Sequence, residues 1–295
     1  MLKNTRVIVA RPGGPEVLQV ISESLPEPRA GEYRVRIHAA GVSFADLLMR
    51  EGVHPETPPA PFTPGWDLVG EVEKAGEGCS AYQPGQLVAA LPVVGGYAEY
   101  ICLPEKELVP LPDGLDPAEA VSLVLNYVTA YQMMHRSAKV SQGRRILIHA
   151  AAGGVGTALL QLGRLAGADM YGTASSRNHD LITSLGGIPI DYKNVDFVEE
   201  IRQLTGDGVD VVFDGIGGRH TWRSYRALRS GGRVIAYGLT STLKKGILSH
   251  GARGRMRGLP IIAGQIALSY LIPDRKRITL YSIQTLKRAR PAYFR

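Results

Sequence analysis

Residues 145–177 constrain the fold of this chain more than any other stretch. Ile146-Leu147-Ile148-His149 is a short aliphatic run that predicts a buried strand. The turn Ala150-Ala151-Ala152-Gly153-Gly154-Val155-Gly156 follows, and then an apolar helical segment from Thr157 to Ala166. Gly167-Ala168-Asp169 reads as a turn, and Met170-Tyr171-Gly172-Thr173-Ala174 as the next strand. Strand, glycine turn, helix, strand is a βαβ unit. In such a unit the N–H groups of the turn and the helix N-terminus face a pyrophosphate.

Aligned on G-x-G-x-x-G, the three fingerprint positions are Ala151, Gly153 and Gly156. The first glycine of the fingerprint, which makes the tight turn, is replaced by alanine. The second permits close phosphate approach and the third close helix–strand packing. With Gly154 and Val155 between them, these residues predict a dinucleotide site. An acidic residue about 20 positions past the first glycine would bind the ribose 2′-hydroxyl of NAD. Here the candidates are Thr173, Ala174, Ser175, Ser176 and Arg177, none of them acidic. Two hydroxyls and a cation suit the 2′-phosphate of NADP.

The remaining chain determines how many domains surround this unit. Its 295 residues suffice for two domains with sizeable cores. Two cysteines, Cys79 and Cys102, with no C-x-x-C pair, predict neither a disulfide framework nor a cysteine zinc site. No apolar signal core opens the sequence, and the longest apolar stretch, Leu259 to Pro273, is too short to span a bilayer. A soluble cytoplasmic protein is the expectation. The net charge of +7 is unevenly placed. Residues 1–199 hold 16 basic and 22 acidic side chains, and residues 200–295 hold 18 and 5, giving −6 and +13. Such asymmetry suits a nucleic-acid or anionic partner, or the absence of an acidic partner segment.

Residues 1 to about 112 read as short strands with frequent turns, the pattern of a β-barrel or sandwich. Tyr33, Val35, Ile37 and Ala39 alternate with Arg34, Arg36 and His38, which predicts a half-buried strand. Further strands are expected at Arg6–Ala10, from Leu68, at Gln86–Ala90 and at Tyr97–Leu103. One helix interrupts them, capped by Ser43, with Phe44, Leu47 and Leu48 on one face. A second helix opens with Asp116 as N-cap, Pro117 at the first position and Glu119 completing a capping box. After the βαβ unit, Ile188–Asp191, Val209–Asp214 and Gly232–Gly238 read as buried parallel strands. Helices at Phe197–Leu204 and Thr221–Leu228 lie between them. Alternating strands and helices predict a doubly wound parallel sheet.

Other motifs point the same way. They are Ala40-Gly41-Val42-Ser43-Phe44-Ala45-Asp46, Pro64-Gly65-Trp66-Asp67-Leu68-Val69-Gly70, Gly95-Gly96-Tyr97-Ala98-Glu99-Tyr100, and Ala130-Tyr131 after Thr129. With Ala-Ala-Gly-Gly-Val-Gly, this set resembles the medium-chain dehydrogenase/reductase superfamily, and within it the zinc-free NADPH:quinone oxidoreductase (zeta-crystallin-like) branch. The resemblance implies a GroES-like β-barrel catalytic domain over 1–118 and a Rossmann NADP-binding domain over 119–260. It implies an incomplete C-terminal return segment over 261–295, the catalytic domain's final part being truncated. Where zinc relatives carry a cysteine and a Gly-His-Glu, this sequence carries Ser43 and Gly65-Trp66-Asp67, so no metal is expected.

The resemblance further implies that Ser43 and Asp46 lie at the nicotinamide end of the cleft and that Thr129 bonds near the ribose or carboxamide. His54, where relatives have tyrosine, would orient substrate or give a proton. Tyr192 would approach the 2′-phosphate with Ser175 and Arg177, the usual basic residue of that site falling near His179. Gly238, Leu239 and Thr240 would follow the fifth strand beside the nicotinamide half. The expected activity is hydride transfer from NADPH to a quinone or an α,β-unsaturated carbonyl, in a homodimer. Enoyl-thioester reduction is the rival among enzymes. A non-catalytic NADPH-binding or nucleic-acid-binding protein is the rival outside them, and the absence of an aromatic-basic stacking motif argues against nucleic acid.

Overall fold

The computed structural model describes residues 2–112, 114–238, 240–242, 258–290 and 292. One compact unit runs to Leu125 and a second begins at Asn126.

The first unit opens with β1 (Lys3–Val9) and β2 (Leu18–Ser24), an antiparallel pair. The strands that follow are β3 (Glu32–Ala40), then, after helix α1 (Phe44–Arg50), β4 (Leu68–Ala75), β5 (Leu87–Ala90), β6 (Tyr100–Pro104) and β7 (Leu108–Pro110). They form a curled antiparallel sheet, a half-barrel, in the order β6-β3-β4-β5-β7. Its core is Tyr33, Val35, Leu68, Val72, Val88 and Leu103. The predicted alternation along β3 fails at one residue. Arg34 is buried with Tyr33 and Val35 because the register with β4 shifts between Arg34 and Val35, and such a bulge re-aims consecutive side chains. Its guanidinium is answered by Glu73, Glu27 and the Pro26 carbonyl. A buried charge persists only when partnered in this way.

Helix α2 (Pro117–Ser122) closes the unit, and the Asp116 carboxylate accepts from the N–H groups of Ala118 and Glu119. Glu119 therefore takes part through its backbone rather than through the expected reciprocal side-chain bond. Wide i→i+5 turns follow at Leu123–Tyr127 and Gln132–Ala138, on either side of α3 (Val128–Tyr131).

The second unit is built on β8 (Arg145–His149), α4 (Gly154–Leu165), β9 (Asp169–Ala174), α5 (His179–Ser184), β10 (Ile188–Asp191) and α6 (Phe197–Thr205). It continues with β11 (Val209–Asp214), α7 (Arg219–Arg226), β12 (Leu228–Ala236), α8 (Gly258–Leu271), β13 (Arg277–Leu280) and α9 (Ile283–Ala289). Its six strands are all parallel, in the order β10-β9-β8-β11-β12-β13. This is the doubly wound dinucleotide-binding order. Ile146, Leu147, Ile148, Phe213 and Ile235 are fully buried at its centre.

Two sequence expectations shift here. The helix expected at Thr221–Leu228 begins and ends earlier, because Leu228 already pairs with Val209 as the start of β12. The sixth strand lies beyond residue 260, inside the stretch expected as an incomplete return segment. Arg277 to Leu280 pair in parallel with Arg233 to Ala236. Only Ile278 of that strand is buried, so its apolar pattern is too sparse to read from sequence.

Candidate functional site

The glycine turn sits at the C-terminal end of β8, where open α/β sheets bind ligands. Gly153 is the N-cap of α4, and Gly153 and Gly154 are exposed. The N–H groups of Gly154, Val155 and Gly156 are in the first helical turn, where no carbonyl of the helix can accept them, and the positive end of the helix dipole lies there too. None of these three glycines has a positive φ; the left-handed residue of the turn is Ala150, at φ 53°. The glycine requirement is therefore steric. A Cβ on Gly156 would stand 2.4 Å from the Ala150 carbonyl and 2.6 Å from that of Ala151. The alanine at the first fingerprint position is tolerated because a glycine faces it. A Cβ on Gly172 of β9 would come within 2.8 Å of the Ala151 methyl group.

The next two strand ends hold the residues expected at the adenosine. Ala174 of β9 pairs with Asp191 of β10, so Ser175 and Tyr192 leave neighbouring strands at the same level. Arg177 and Tyr192 are exposed. The carboxylate at this end, Asp191, accepts the Lys193 N–H at 3.1 Å and the Asn194 amide at 2.8 Å within its own turn. Lys193, exposed and next to Tyr192, adds a cation that sequence reading passed over, although its adjacency to the tyrosine was the signal. His179 has its Nε2 buried with no hydrogen-bond partner among the described residues.

A buried polar network supports the following loop. Asp214, at the end of β11, is fully buried. Its Oδ1 accepts the N–H groups of Ile216 at 2.9 Å and Gly217 at 3.1 Å, and His220 Nδ1 stands 3.4 Å from the same oxygen. Ser224 Oγ lies 3.4 Å from Oδ2 and 3.1 Å from His149 Nε2, and His149 Nδ1 is 3.0 Å from Thr173 Oγ1. Burial by itself would raise the Asp214 pKa. The hydrogen bond from His220 and the adjoining imidazoles outweigh it and hold the carboxyl low. His149 is held neutral by burial and by its neighbour His220. The loop anchored by Asp214 in turn receives the segment after β12. Ser241 N–H donates to the Ile216 carbonyl at 2.8 Å, Thr240 Oγ1 to Gly215, and a Cβ on Gly238 would clash with the Gly215 carbonyl at 2.2 Å. Gly238 and Thr240 are thus fixed against residues 215–217, while Leu239 lies outside the described residues. Thr129 is buried, its side chain beside the Tyr281 hydroxyl.

In the first unit the structure brings Ser43, Asp46 and His54 together around Gly65-Trp66. Ser43 and Asp46 form a reciprocal capping box: Asp46 Oδ2 accepts from Ser43 N–H at 2.9 Å and Ser43 Oγ at 2.6 Å, and Ser43 Oγ accepts the Asp46 N–H. Asp46 Oδ1 takes the Gly65 N–H at 2.9 Å. The buried face of α1 therefore carries Asp46 and Met49, while Phe44 is 55% exposed, the reverse of the face expected from apolarity.

His54 is largely buried, its ring edge-on to Trp66 at 5.2 Å. Burial lowers its pKa, against the pull of Glu56 and Asp46. Its Nδ1 accepts the Glu56 N–H at 3.1 Å, which assigns the ring proton to Nε2. Tyr97, read from sequence only as part of a motif, belongs here too: burial and then the Asp46 charge raise its phenol. Asp67 is 3% exposed; its Oδ2 accepts the Leu125 N–H at 3.1 Å while Oδ1 makes no hydrogen bond. Burial raises its pKa to about 6, although the N–H groups of Leu125 and Gly41 offset part of the shift.

Comparison with known proteins matches this arrangement to both halves of one family. Residues 29–113 match the Alcohol dehydrogenase GroES-like domain and residues 154–266 the Zinc-binding dehydrogenase domain. The rat synaptic vesicle membrane protein VAT-1 homolog is 37% identical over 220 residues, 74% of this chain and 54% of that protein. The chain thus spans about half the length of that relative. Rat quinone oxidoreductase is 33% identical over 237 residues, 79% of this chain and 72% of that protein. The crystal structure of a Pseudomonas syringae pv. Tomato DC3000 quinone oxidoreductase is 29% identical, with a TM-score of 0.83 over 97% of this chain and 83% of that one. With the curled GroES-like sheet and the doubly wound parallel sheet both in place, the chain belongs to the medium-chain dehydrogenase/reductase superfamily, in its quinone oxidoreductase-like branch.

Proposed function

We propose that this protein is an NADPH-dependent, zinc-independent reductase of a quinone or an α,β-unsaturated carbonyl. The observation that carries the cofactor reading is the set of donors at the ends of β9 and β10. Ser175, Arg177, Tyr192 and Lys193 are two hydroxyls and two cations, and Asp191, the acid that ends β10, is already bound within its turn. Such a set fits a 2′-phosphate, and the residues that follow β9, Ser175, Ser176 and Arg177, include no carboxylate for a ribose 2′-hydroxyl. The first turn of α4 presents N–H groups to a pyrophosphate, and the Gly238 and Thr240 backbone borders the nicotinamide half.

When bound, NADPH supplies the hydride. The residues of this chain then have to bind, orient and protonate. His54 holds its proton on Nε2, and we assign it the donation of that proton to an oxygen on which negative charge develops. Asp46 and Ser43 act as positioning residues, since their capping box fixes the start of α1 and the Gly65 backbone. Neither former zinc position offers a metal donor: the Ser43 hydroxyl is given to Asp46, and Trp66 Nε1 points at Met49 Sδ at 3.1 Å. Thr129 we assign to the ribose or carboxamide. The same reading makes the protein a cytoplasmic homodimer joined at the β13 edge, where Leu280 and, on α8, Leu271 are exposed.

The test is oxidation of NADPH and of NADH with a quinone and with a cyclic enone, in the wild type and in Arg177→Ala. The expected result is turnover with NADPH well above NADH. In the variant KM for NADPH should rise roughly tenfold, the loss of one charge-assisted bond, with NADH unaffected. A preference for NADH, or an unchanged KM, overturns the cofactor assignment.

A further inference from the structure

The opposite end of the parallel sheet carries a second recognisable surface. In a parallel sheet all strand N-termini lie at one end, away from the glycine turn. There α7 runs into β12 and the loop at Lys276 runs into β13. A cleft of about 610 Å³ opens between α6, α7 and that loop, within the roughly 300–1,000 Å³ of small-molecule sites. Trp222, Tyr225 and Arg226 share one face of α7 at i, i+3 and i+4, and Arg202 and Glu199 come from α6.

The chemistry of this lining is specific. The Trp222 and Tyr225 rings are stacked, 4.8 Å apart and within 5° of parallel, which makes a rigid aromatic platform. Three cations, Arg202, Arg226 and Lys276, line the cleft with one carboxylate, Glu199, and Lys276 makes a long ion pair with Asp274 beside it. The Arg202 guanidinium is fixed by the carbonyls of Asp207, Arg226 and Leu228, so it is held in place without a neutralising acid. Among the described residues neither Arg202 nor Arg226 is ion-paired. Lys276 is half-buried, with its Nζ 5.3 Å from the centre of the Tyr225 ring. Its nearest carboxylate oxygen, on Asp274, is 3.8 Å away. The other Asp274 oxygen is already taken by the Tyr225 hydroxyl at 2.7 Å and the Lys276 N–H at 3.0 Å. Burial and the charge of Arg202 lower the pKa of this ammonium despite Asp274. Under-neutralised cations around an aromatic platform are the elements with which proteins hold a base and its phosphate.

We propose that the α6–α7 cleft is a second ligand site that takes a nucleobase with its phosphate, the base on Trp222 and the phosphate between Lys276 and Arg226. This site is independent of the dinucleotide reading and stands if that reading fails. Contrary to the expectation from sequence, an aromatic and basic combination is present within Arg219–Arg226, and the fold brings Lys276 and Arg202 to it.

The experiment uses the full chain labelled with 5-fluorotryptophan, whose two ¹⁹F resonances, from Trp66 and Trp222, are assigned with Trp222→Phe. It is titrated with AMP and, separately, with an eight-nucleotide single-stranded oligoadenylate. The Trp222 resonance should move saturably with one of them, and Lys276→Gln and Arg226→Glu should each weaken that binding roughly tenfold or more. Movement with AMP identifies a free mononucleotide, and movement with the oligoadenylate alone identifies single-stranded RNA as the source. AMP held at the glycine turn would leave Trp222 unmoved and would be indifferent to both substitutions. An unmoved Trp222 resonance with both probes, or a shift that survives both substitutions, overturns the proposal. The Trp66 resonance and the melting temperature report whether each variant is folded.

Discussion

Asp67 and Asp214 are both buried carboxylates at the end or start of a strand, yet they sit on opposite sides of the ordinary carboxylate range. Asp214 is surrounded by donors: two loop N–H groups, an imidazole and a serine hydroxyl. Asp67 has one bonded oxygen and one bare one. Burial pushes both pKa values up, and only Asp214 has the partners to reverse it. Burial alone therefore does not decide the charge of a carboxyl; its balance against the number and charge of the donors does. The consequence differs too. Asp214 organises the loop on which Gly238 and Thr240 rest, whereas Asp67 is a group whose charge the fold tolerates at a cost.

The comparison can be broken most directly at Asp214. Asp214→Ala leaves the Ile216 and Gly217 N–H groups and a histidine without an acceptor and should cost about 3–5 kcal/mol in urea denaturation. It should also weaken any ligand contact made through residues 238–241. A loss below about 1 kcal/mol would mean that the network is incidental.

The second effect is the pH dependence of Asp67. Its folded pKa, about 6, lies above the unfolded value of 3.8, so the protonated form is favoured by folding. Its contribution is fully present below pH 3.8 and is lost as the pH rises through 6. The difference amounts to about 3 kcal/mol. Asp67→Asn should remove this slope, so that the variant gains on the wild type between pH 4 and 6 in melts across that window. Parallel curves for the two proteins would show that Asp67 is solvated or otherwise partnered.

The smallest effect sharpens the contrast with a third buried carboxylate, Asp46, which resembles Asp214 in being well supplied with donors. Ser43→Ala deletes its shortest one and should cost about 1 kcal/mol, the usual value of a lost N-cap. If Asp46 is a positioning group, kcat should fall while KM for the nicotinamide cofactor stays the same. A change in KM alone would argue that Ser43 touches the cofactor.

Much of the second unit was legible because its signals are local. The glycine turn, the buried runs at 146–149 and 209–214, and the alternation of strand and helix all survive in the linear order of residues. Even the alanine at the first fingerprint position is explained once its facing residue, Gly172, is known. The sixth strand was not legible, because it buries a single side chain, Ile278. In the first unit β1, β3, β4, β5 and β6 were foreseen, but β2, β7 and the inward face of α1 were not. Phe44 and Leu47 looked like core and are exposed, while the buried face carries Asp46, expected at the cleft, and Met49. Arg34 is a similar case, turned inward by a bulge that leaves no trace in composition.

By itself, then, the sequence determined the layer architecture, the dinucleotide turn and the residues at the strand ends, since periodicity and turn chemistry are properties of neighbours in the chain. Tertiary structure alone decided which polar groups are buried and with whom. The pairing of Asp46 with Gly65, of Asp214 with His220 and Ser224, and of Lys276 with the Trp222–Tyr225 platform joins residues whose partners lie on other turns and elements. The free energy of a buried polar group depends on those partners, and no local pattern encodes them.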